Sequence, residues 1–175
     1  MAKKEALREL QSRLAERMQA ARTQARPTSW LAVECGGQGL LFPLAQAGEI
    51  FSLVPLVPVP HTQGWFAGVA NLRGGLHGVV DLSAFLDIKR PPLPDAAREQ
   101  QRLVALNPSL GLNCALLVDR LAGLRSADQL ASEPEGPGAR PAFAGMRWRD
   151  GDGRPWQEIL LSSLAEDEQF LAIVG

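Results

Sequence analysis

The side chains able to do chemistry in this sequence are few and scattered. Its only histidines are His61 and His77, and its only cysteines Cys35 and Cys114. His61 follows Pro60 and is expected in a turn, while His77 lies beside Gly78 in a strand-like run. Neither has cysteine or carboxylate neighbours at metal-ligand spacing, so no metal site is expected. Both cysteines stand inside apolar runs, where a thiol packs as a small hydrophobe. A disulfide between them stays open, but nothing in the chain suggests secretion. No serine occupies a Gly-x-Ser-x-Gly elbow. Gly36-Gly37-Gln38-Gly39 lacks the spacing and the following helix of a phosphate loop, and suits a hairpin turn. Asp150-Gly151-Asp152-Gly153-Arg154 begins like a calcium loop but lacks the later ligands and the closing glutamate, which leaves a turn. The pairs Glu133/Glu135 and Asp167/Glu168 sit in polar stretches and are expected to be solvated. No nucleophile meets a base and no cradle for a cofactor emerges. The expectation is a protein that binds rather than catalyses, with no cofactor.

The elements that carry these residues divide the chain in two. Residues 3–24 read as a helix, rich in Ala, Leu, Glu, Gln and Arg and free of Gly and Pro. Leu7, Leu10, Leu14, Met18 and Ala21 fall on one narrow stripe. Such a stripe fits either a helix packed on its own domain or an arm that pairs with another chain. The unit 1–26 carries seven basic and three acidic residues, a net of +4, which leaves −5 on residues 27–175. After Pro27 the texture changes to short Val-, Leu- and Ile-rich runs punctuated by Gly and Pro, as strands and tight turns require. Candidate strands are 30–34, 39–44, 49–57, 76–82, 103–107, 113–119 and 158–161, with a short helix over 164–170 capped by Ser163. The loop 91–95 joins the halves, and the loop 132–141 offers nothing to a core and is expected to be mobile.

The whole chain has 18 basic and 19 acidic residues, a net of −1, which gives no field for nucleic acid. A nucleic-acid-binding barrel would also need exposed aromatics on a basic face, and the acidic 27–175 part has no Tyr. The N-terminus lacks the apolar core of a signal peptide. No apolar run reaches the roughly 20 residues of a membrane span. A cytoplasmic, reduced protein is expected.

An internal repeat organises the second unit. Phe66-Ala67-Gly68-Val69 returns as Phe143-Ala144-Gly145-Met146, 77 residues later. Leu41-Phe42-Pro43-Leu44 followed by Ala47-Gly48 resembles Leu116-Leu117-Val118-Asp119 followed by Ala122-Gly123, at an offset of 75. A β unit of half this length has a marginal core. Two such units, about 29–90 and 100–170, are expected to pack side by side with a groove between them, their ends being candidates for exchange.

The segment Gly64-Trp65-Phe66-Ala67-Gly68-Val69-Ala70-Asn71-Leu72-Arg73-Gly74-Gly75-Leu76-His77-Gly78-Val79-Val80-Asp81-Leu82 closely resembles the signature of the CheW-like family. There the pattern is roughly Gly-Val-x-Asn-Leu-Arg-Gly, an apolar strand, then Asp-Leu. Ala115-Leu116-Leu117-Val118-Asp119-Arg120-Leu121 resembles that family's second block, with Ala115 where the family often has Gly. Phe143-Ala144-Gly145-Met146 onward resembles a terminal block. The stretch Trp148 to Trp156, with Phe170-Leu171-Ala172-Ile173, is similar to the PilI branch, whose adaptor serves a pilus-linked chemosensory array controlling twitching motility.

The resemblance implies an all-β fold of two five-stranded SH3-like or OB-like barrels with a groove between them, preceded here by the N-terminal helix. It implies a catalytically silent adaptor that joins the cytoplasmic tip of a chemoreceptor to the regulatory domain of a CheA-type histidine kinase. Such a protein is a monomer or weakly self-associating, and touches the membrane only through its receptor. For the receptor groove it points to Gly68, Val69, Asn71, Leu72, Arg73 and Gly74 on one wall and Leu117, Val118 and Leu121 on the other. For the kinase it points to Ala47, Gly48, Glu49 and Ile50, which could equally be an ordinary strand start. Gly68 and Val69 are expected to end a short helical turn. Arg73 either shapes the turn, pairing with Asp81 while Gly74-Gly75 supply positive φ, or reaches the receptor. Trp65, Phe66 and Trp156 are read as core aromatics rather than exposed anchors. A scaffold in flagellar chemotaxis or in a non-motility array is the leading alternative, ahead of a nucleic-acid-binding barrel or an enzyme.

Overall fold

The computed structural model describes residues 2–24 and 29–175. The first hairpin shows how the sequence dictates the architecture. β1 (Ser29–Cys35) pairs antiparallel with β2 (Gln38–Pro43) in a register that ends at Cys35↔Gln38. Gly36 and Gly37 are left as a two-residue turn with φ of +58° and +80°. Two positive φ values give the turn whose twist matches that of the strands, and glycine adopts them freely. Leu31, Val33 and Cys35 point to one side of the hairpin, and Trp30 and Ala32 to the other. Both faces are buried, so both strands read as continuous apolar runs.

The remaining strands are β3 (Ala47–Ser52), β4 (Phe66–Leu72), β5 (Gly75–Asp81), β6 (Arg102–Leu106), β7 (Cys114–Val118), β8 (Arg120–Ser126), β9 (Leu130–Glu133), β10 (Ala144–Asp150) and β11 (Pro155–Ile159). They form two sheets. One has the order β8-β1-β2-β11-β10-β9, the other β3-β6-β7-β5-β4. Short helices α2 (Leu82–Phe85) and α4 (Leu161–Leu164) follow β5 and β11, and α3 (Asp95–Arg98) lies in the connection between halves. The equivalences are β1 with β6, β2 with β7, β3 with β8, β4 with β10, β5 with β11, and α2 with α4. Each sheet contains the first two strands of one repeat and the hairpin of the other. The repeats are joined by two parallel pairs, β11 with β2 and β5 with β7, and by two antiparallel pairs, β1 with β8 and β3 with β6.

Three apolar clusters follow. Leu103, Ala105, Ala115 and Leu117 fill the concave side of the five-stranded sheet, with Ala70, Leu72 and Val79. Trp30, Leu41, Leu130 and Trp156 fill that of the six-stranded one. The largest lies between the sheets, where Val33, Phe42, Val80, Leu116, Val118 and Leu161 are completely or nearly completely buried.

Several expectations are corrected. The sheets are not closed five-stranded barrels. One has six strands with free edges at β8 and β9, and the other meets its own start only through the single bridge Val57↔Val69. The 49–57 run breaks at Ser52, since Pro55 and Pro58 cannot donate to a ladder. The helix over 164–170 is two short ones, α4 and α5 (Glu168–Leu171), and Asp167 rather than Ser163 caps the second by accepting from Phe170 N. Trp156 is buried, and Trp65 and Phe66 pack half-buried against the large cluster.

The N-terminal helix α1 (Ala2–Gln24) is separate from this packing. Every described side chain on it, from Lys3 to Arg17, is exposed, and Leu7, Leu10 and Leu14 are 59%, 68% and 61% accessible. Met18 and Ala21 of the expected stripe lie outside the described side chains.

Candidate interaction surfaces

The β4–β5 hairpin closes at Leu72↔Gly75, so its turn is Arg73-Gly74, with φ of +52° and +78°. Positive φ thus falls on Gly74, as expected, but on Arg73 rather than on Gly75. Arg73 itself adopts it, an uncommon conformation for a residue with a side chain. Its partner also differs from the expectation. Arg73 Nη2 donates to Glu49 Oε1 at 2.7 Å rather than to Asp81. Both side chains are well exposed, so the pair holds little stabilisation and leaves both charges accessible. Glu49 belongs to β3, where Ala47 pairs with Leu106 and Ile50 with Val104 across a bulge. Gly48 is needed in that bulge, because a Cβ there would stand 2.7 Å from the Leu106 carbonyl. Asn71, Arg73 and Gly74 thus stand exposed beside Glu49 and Ile50, and one ion pair joins residues expected to serve different partners.

Gly68 and Val69 do not end a helical turn. They lie within β4, at and just past a bulge where Gly68 takes φ +133°. A Cβ on Gly68 would fall 2.4 Å from the Val57 carbonyl oxygen. That close approach lets Val57 and Val69 exchange two backbone hydrogen bonds of 2.9 Å. Val69 lines an apolar groove of about 290 Å³ together with Phe66, Leu112, Phe170, Leu171 and Ile173. The chain's last residues hold its outer wall, through Gln63 N to the Ile173 carbonyl at 2.7 Å and Gly175 N to the His61 carbonyl at 3.0 Å.

The opposite wall is not built from the expected residues. Leu72 and Leu117 are buried on the concave side of the five-stranded sheet, Val118 is fully buried between the sheets, and Leu121 packs half-buried against that core. Their apolar pattern marked core positions: Val118 is fully covered, Leu72 and Leu117 nearly so, with Leu117 at the floor of a cleft beside Arg90 and Leu93, and only Leu121 keeps partial exposure.

Sequence reasoning missed Arg90. This linker residue donates from Nη2 to Asp81 Oδ2 at 3.2 Å and pairs through Nη1 with Asp119 Oδ1. Asp119 also accepts from Gly36 N at 2.7 Å, and Asp81 from Ser83 Oγ at 3.0 Å and from Ala84 N. Two motif aspartates of distant strands therefore meet on one guanidinium. A pattern of Asp-Leu and Val-Asp reveals the two acids but not their common partner. Glu158 was missed as well. It is 4% exposed and accepts from Trp30 Nε1 at 2.5 Å and from Met146 N at 3.2 Å.

The electrostatics favour structure over reactivity. Glu34 accepts from Arg120 at 2.9 and 2.7 Å and from Arg154 at 2.6 Å. These bonds, Arg120's first, hold its carboxyl below the usual range against the opposing effect of burial. Burial pushes both free thiols, Cys35 and Cys114, up to about 12, which leaves them protonated and inert at neutral pH. Among the described residues no three His, Cys, Asp or Glu side chains converge as metal ligands, and no helix is long and apolar enough to cross a membrane.

Three comparisons bear on these surfaces. The family model described as CheW-like domain matches residues 29–169. Protein PilI of Pseudomonas aeruginosa is 27% identical over 165 residues, covering 92% of this chain and 88% of that protein. The crystal structure of the scaffolding protein TtCheW from Thermoanaerobacter tengcongensis superposes with a TM-score of 0.63 at 18% identity, over 77% of this chain and 89% of that one. That last likeness is one of fold.

Proposed function

The chain belongs to the CheW-like family; on that premise we propose that it is a non-catalytic scaffold that couples a chemoreceptor to a CheA-type histidine kinase in a signalling array that controls type IV pili. The observation that carries the reading is the path of the signature segment. It runs from Val69 on the wall of the apolar groove to Arg73 in the exposed turn, where it meets Glu49 of β3. A helix of the receptor tip would bury alternate-turn side chains in the groove. The kinase regulatory domain would contact the Ala47–Ser52 strand at Glu49 and Ile50, with Arg73 beside both. Similarity to PilI supports the pilus-linked output over a flagellar one.

The test uses the purified full-length chain with a receptor cytoplasmic hairpin and a kinase regulatory domain from the same organism. Arg73→Glu places two acids face to face on an exposed turn. It is expected to weaken at least one of these complexes about tenfold, or roughly 1.4 kcal/mol, while the melting temperature stays within a degree or two. Unchanged binding of both partners would remove Arg73 from the interface. Binding of a flagellar receptor alone would move the scaffold to the alternative array.

A further inference from the structure

The N-terminal helix presents an uncovered apolar seam, and the rest of the chain presents an apolar groove next to charges of the opposite sign. At roughly 100° per residue, Leu7, Leu10 and Leu14 occupy one seam of α1, and its three glutamates, Glu5, Glu9 and Glu16, lie on the opposite face. Arg17 and Arg13 (the latter paired with Glu9 at 3.0 Å) flank the seam on one side and Lys4 on the other, and Lys3 continues the seam toward the N-terminus. The exposed leucines are therefore rimmed by positive charge only. None of the groove's lining residues is charged, and the charges nearest them in sequence are of the opposite sign. The segment that leads to its wall residues Phe170 and Leu171 carries Glu166, Asp167 and Glu168, with no basic residue from Pro155 to the end of the chain. Glu168 stands one helical turn before Leu171, which is 50% exposed.

We propose that α1 of one copy docks its leucine seam in the apolar groove of a second copy. The alternative of two α1 helices pairing with each other would bring two +4 segments together, and like charges at close range oppose it. Docking of arm on body instead brings a +4 segment onto a −5 body. The contact is head-to-tail, since donor and acceptor surfaces differ, so it can propagate or close into a ring. Under the receptor-docking reading above, the arm and a receptor helix would exclude one another from the groove. The copy-to-copy contact does not rest on that reading and is measured without any receptor.

The experiment is sedimentation of the full-length chain across a concentration series at low salt. The wild type is expected to associate as concentration rises, and to dissociate as salt screens the rim charges. Leu10→Gln/Leu14→Gln keeps helix propensity and net charge but disables the seam. Glu166→Lys/Glu168→Lys inverts the charges beside the groove. Each double variant alone is expected to be monomeric, with circular dichroism confirming the fold. Mixed, they should form a dimer and nothing larger, because only one working arm and one working groove remain per pair. Three results would overturn the proposal: a wild type that stays monomeric throughout, association that survives both variants, or a mixture that fails to pair.

Discussion

Arg90→Met tests the three-way junction of the linker with Asp81 at the end of β5 and Asp119 between β7 and β8. The substitution keeps most of the side chain's volume and its packing stem while deleting the guanidinium. Asp81 and Asp119 then face each other without a cation, in a site where Arg90, Asp81 and Asp119 retain only 20%, 25% and 12% exposure. Removing one partner of a fully buried ion pair costs about 3–5 kcal/mol. Water reaches this junction, so about 2–3 kcal/mol is expected here. For a domain of this size that lowers the melting temperature by roughly 4–12 °C. Arg90→Lys should recover only part of the loss, because a compact ammonium cannot offer two parallel faces to two acids. The decisive measurement is a double-mutant cycle with Asp119→Asn in urea. Asparagine can still accept from Gly36 N but no longer needs a cation. A coupling of about 1–2 kcal/mol is expected. Additivity within about 0.5 kcal/mol would refute the junction and leave Arg90 as packing alone.

Three further outcomes follow from the same geometry. Glu34 has a depressed folded pKa, so its contribution is full above the unfolded value of 4.5 and lost as pH falls through the lower folded value. The stability gap between wild type and Glu34→Gln should be flat near neutrality and shrink as melts are taken below that value; a gap that widens in acid would contradict the sign. Gly68→Ala combines φ +133° with a 2.4 Å approach to the Val57 carbonyl and should cost about 2–4 kcal/mol, whereas Gly151→Ala, with open space around it, should cost under about 1 kcal/mol; equal losses would show that the bulge relaxes freely. Cys35 and Cys114 should resist iodoacetamide at pH 8 in the native chain and react once it is unfolded, as a mass shift would report.

The repeat made much of this fold legible. The offsets of 75 and 77 residues correspond to real structural equivalences, β2 with β7 and β4 with β10. The glycine turn at Gly36-Gly37 was legible too, because a two-residue hairpin has few alternatives. What escaped was set by tertiary context. β10 has the true alternation of a half-buried strand, with Met146, Trp148 and Asp150 on one side and Arg147 and Arg149 on the other, but its arginine content hid it. β8 is broken in pattern by Gly123 at φ +96° and shows no clear apolar face. β9 has only four residues. The expected groove failed in part for a related reason. Leu117 and Val118 carry the hydrophobicity of a binding wall, yet β7 is buried along its whole length. Apolar character alone does not tell a wall from a core. Arg90 lay in a proline-rich linker with no pattern at all, and only the fold brings it to Asp81 and Asp119.

The exchange of strands between repeats makes a rigid unit of a chain of this size, as the proposed coupling role requires. Neither half of the sequence holds a complete sheet, since β1 and β2 need the β10–β11 hairpin and β6 and β7 need the β4–β5 hairpin. The two sheets then share their largest apolar cluster. Separating the halves would break two parallel pairings, β2 with β11 and β5 with β7, and two antiparallel ones, β1 with β8 and β3 with β6, and open that cluster at once, so the halves cannot flex independently at low cost. The groove wall at Val69 and the turn at Arg73 belong to one hairpin of this interlocked unit and keep a fixed spacing. Two arginine–carboxylate contacts show how burial divides the labour. Arg90 is held between acids in a shielded junction, where losing it costs the fold. Arg73 holds Glu49 in open solvent, where the same chemistry contributes little to stability and leaves a charged pair ready to be exchanged for a partner's.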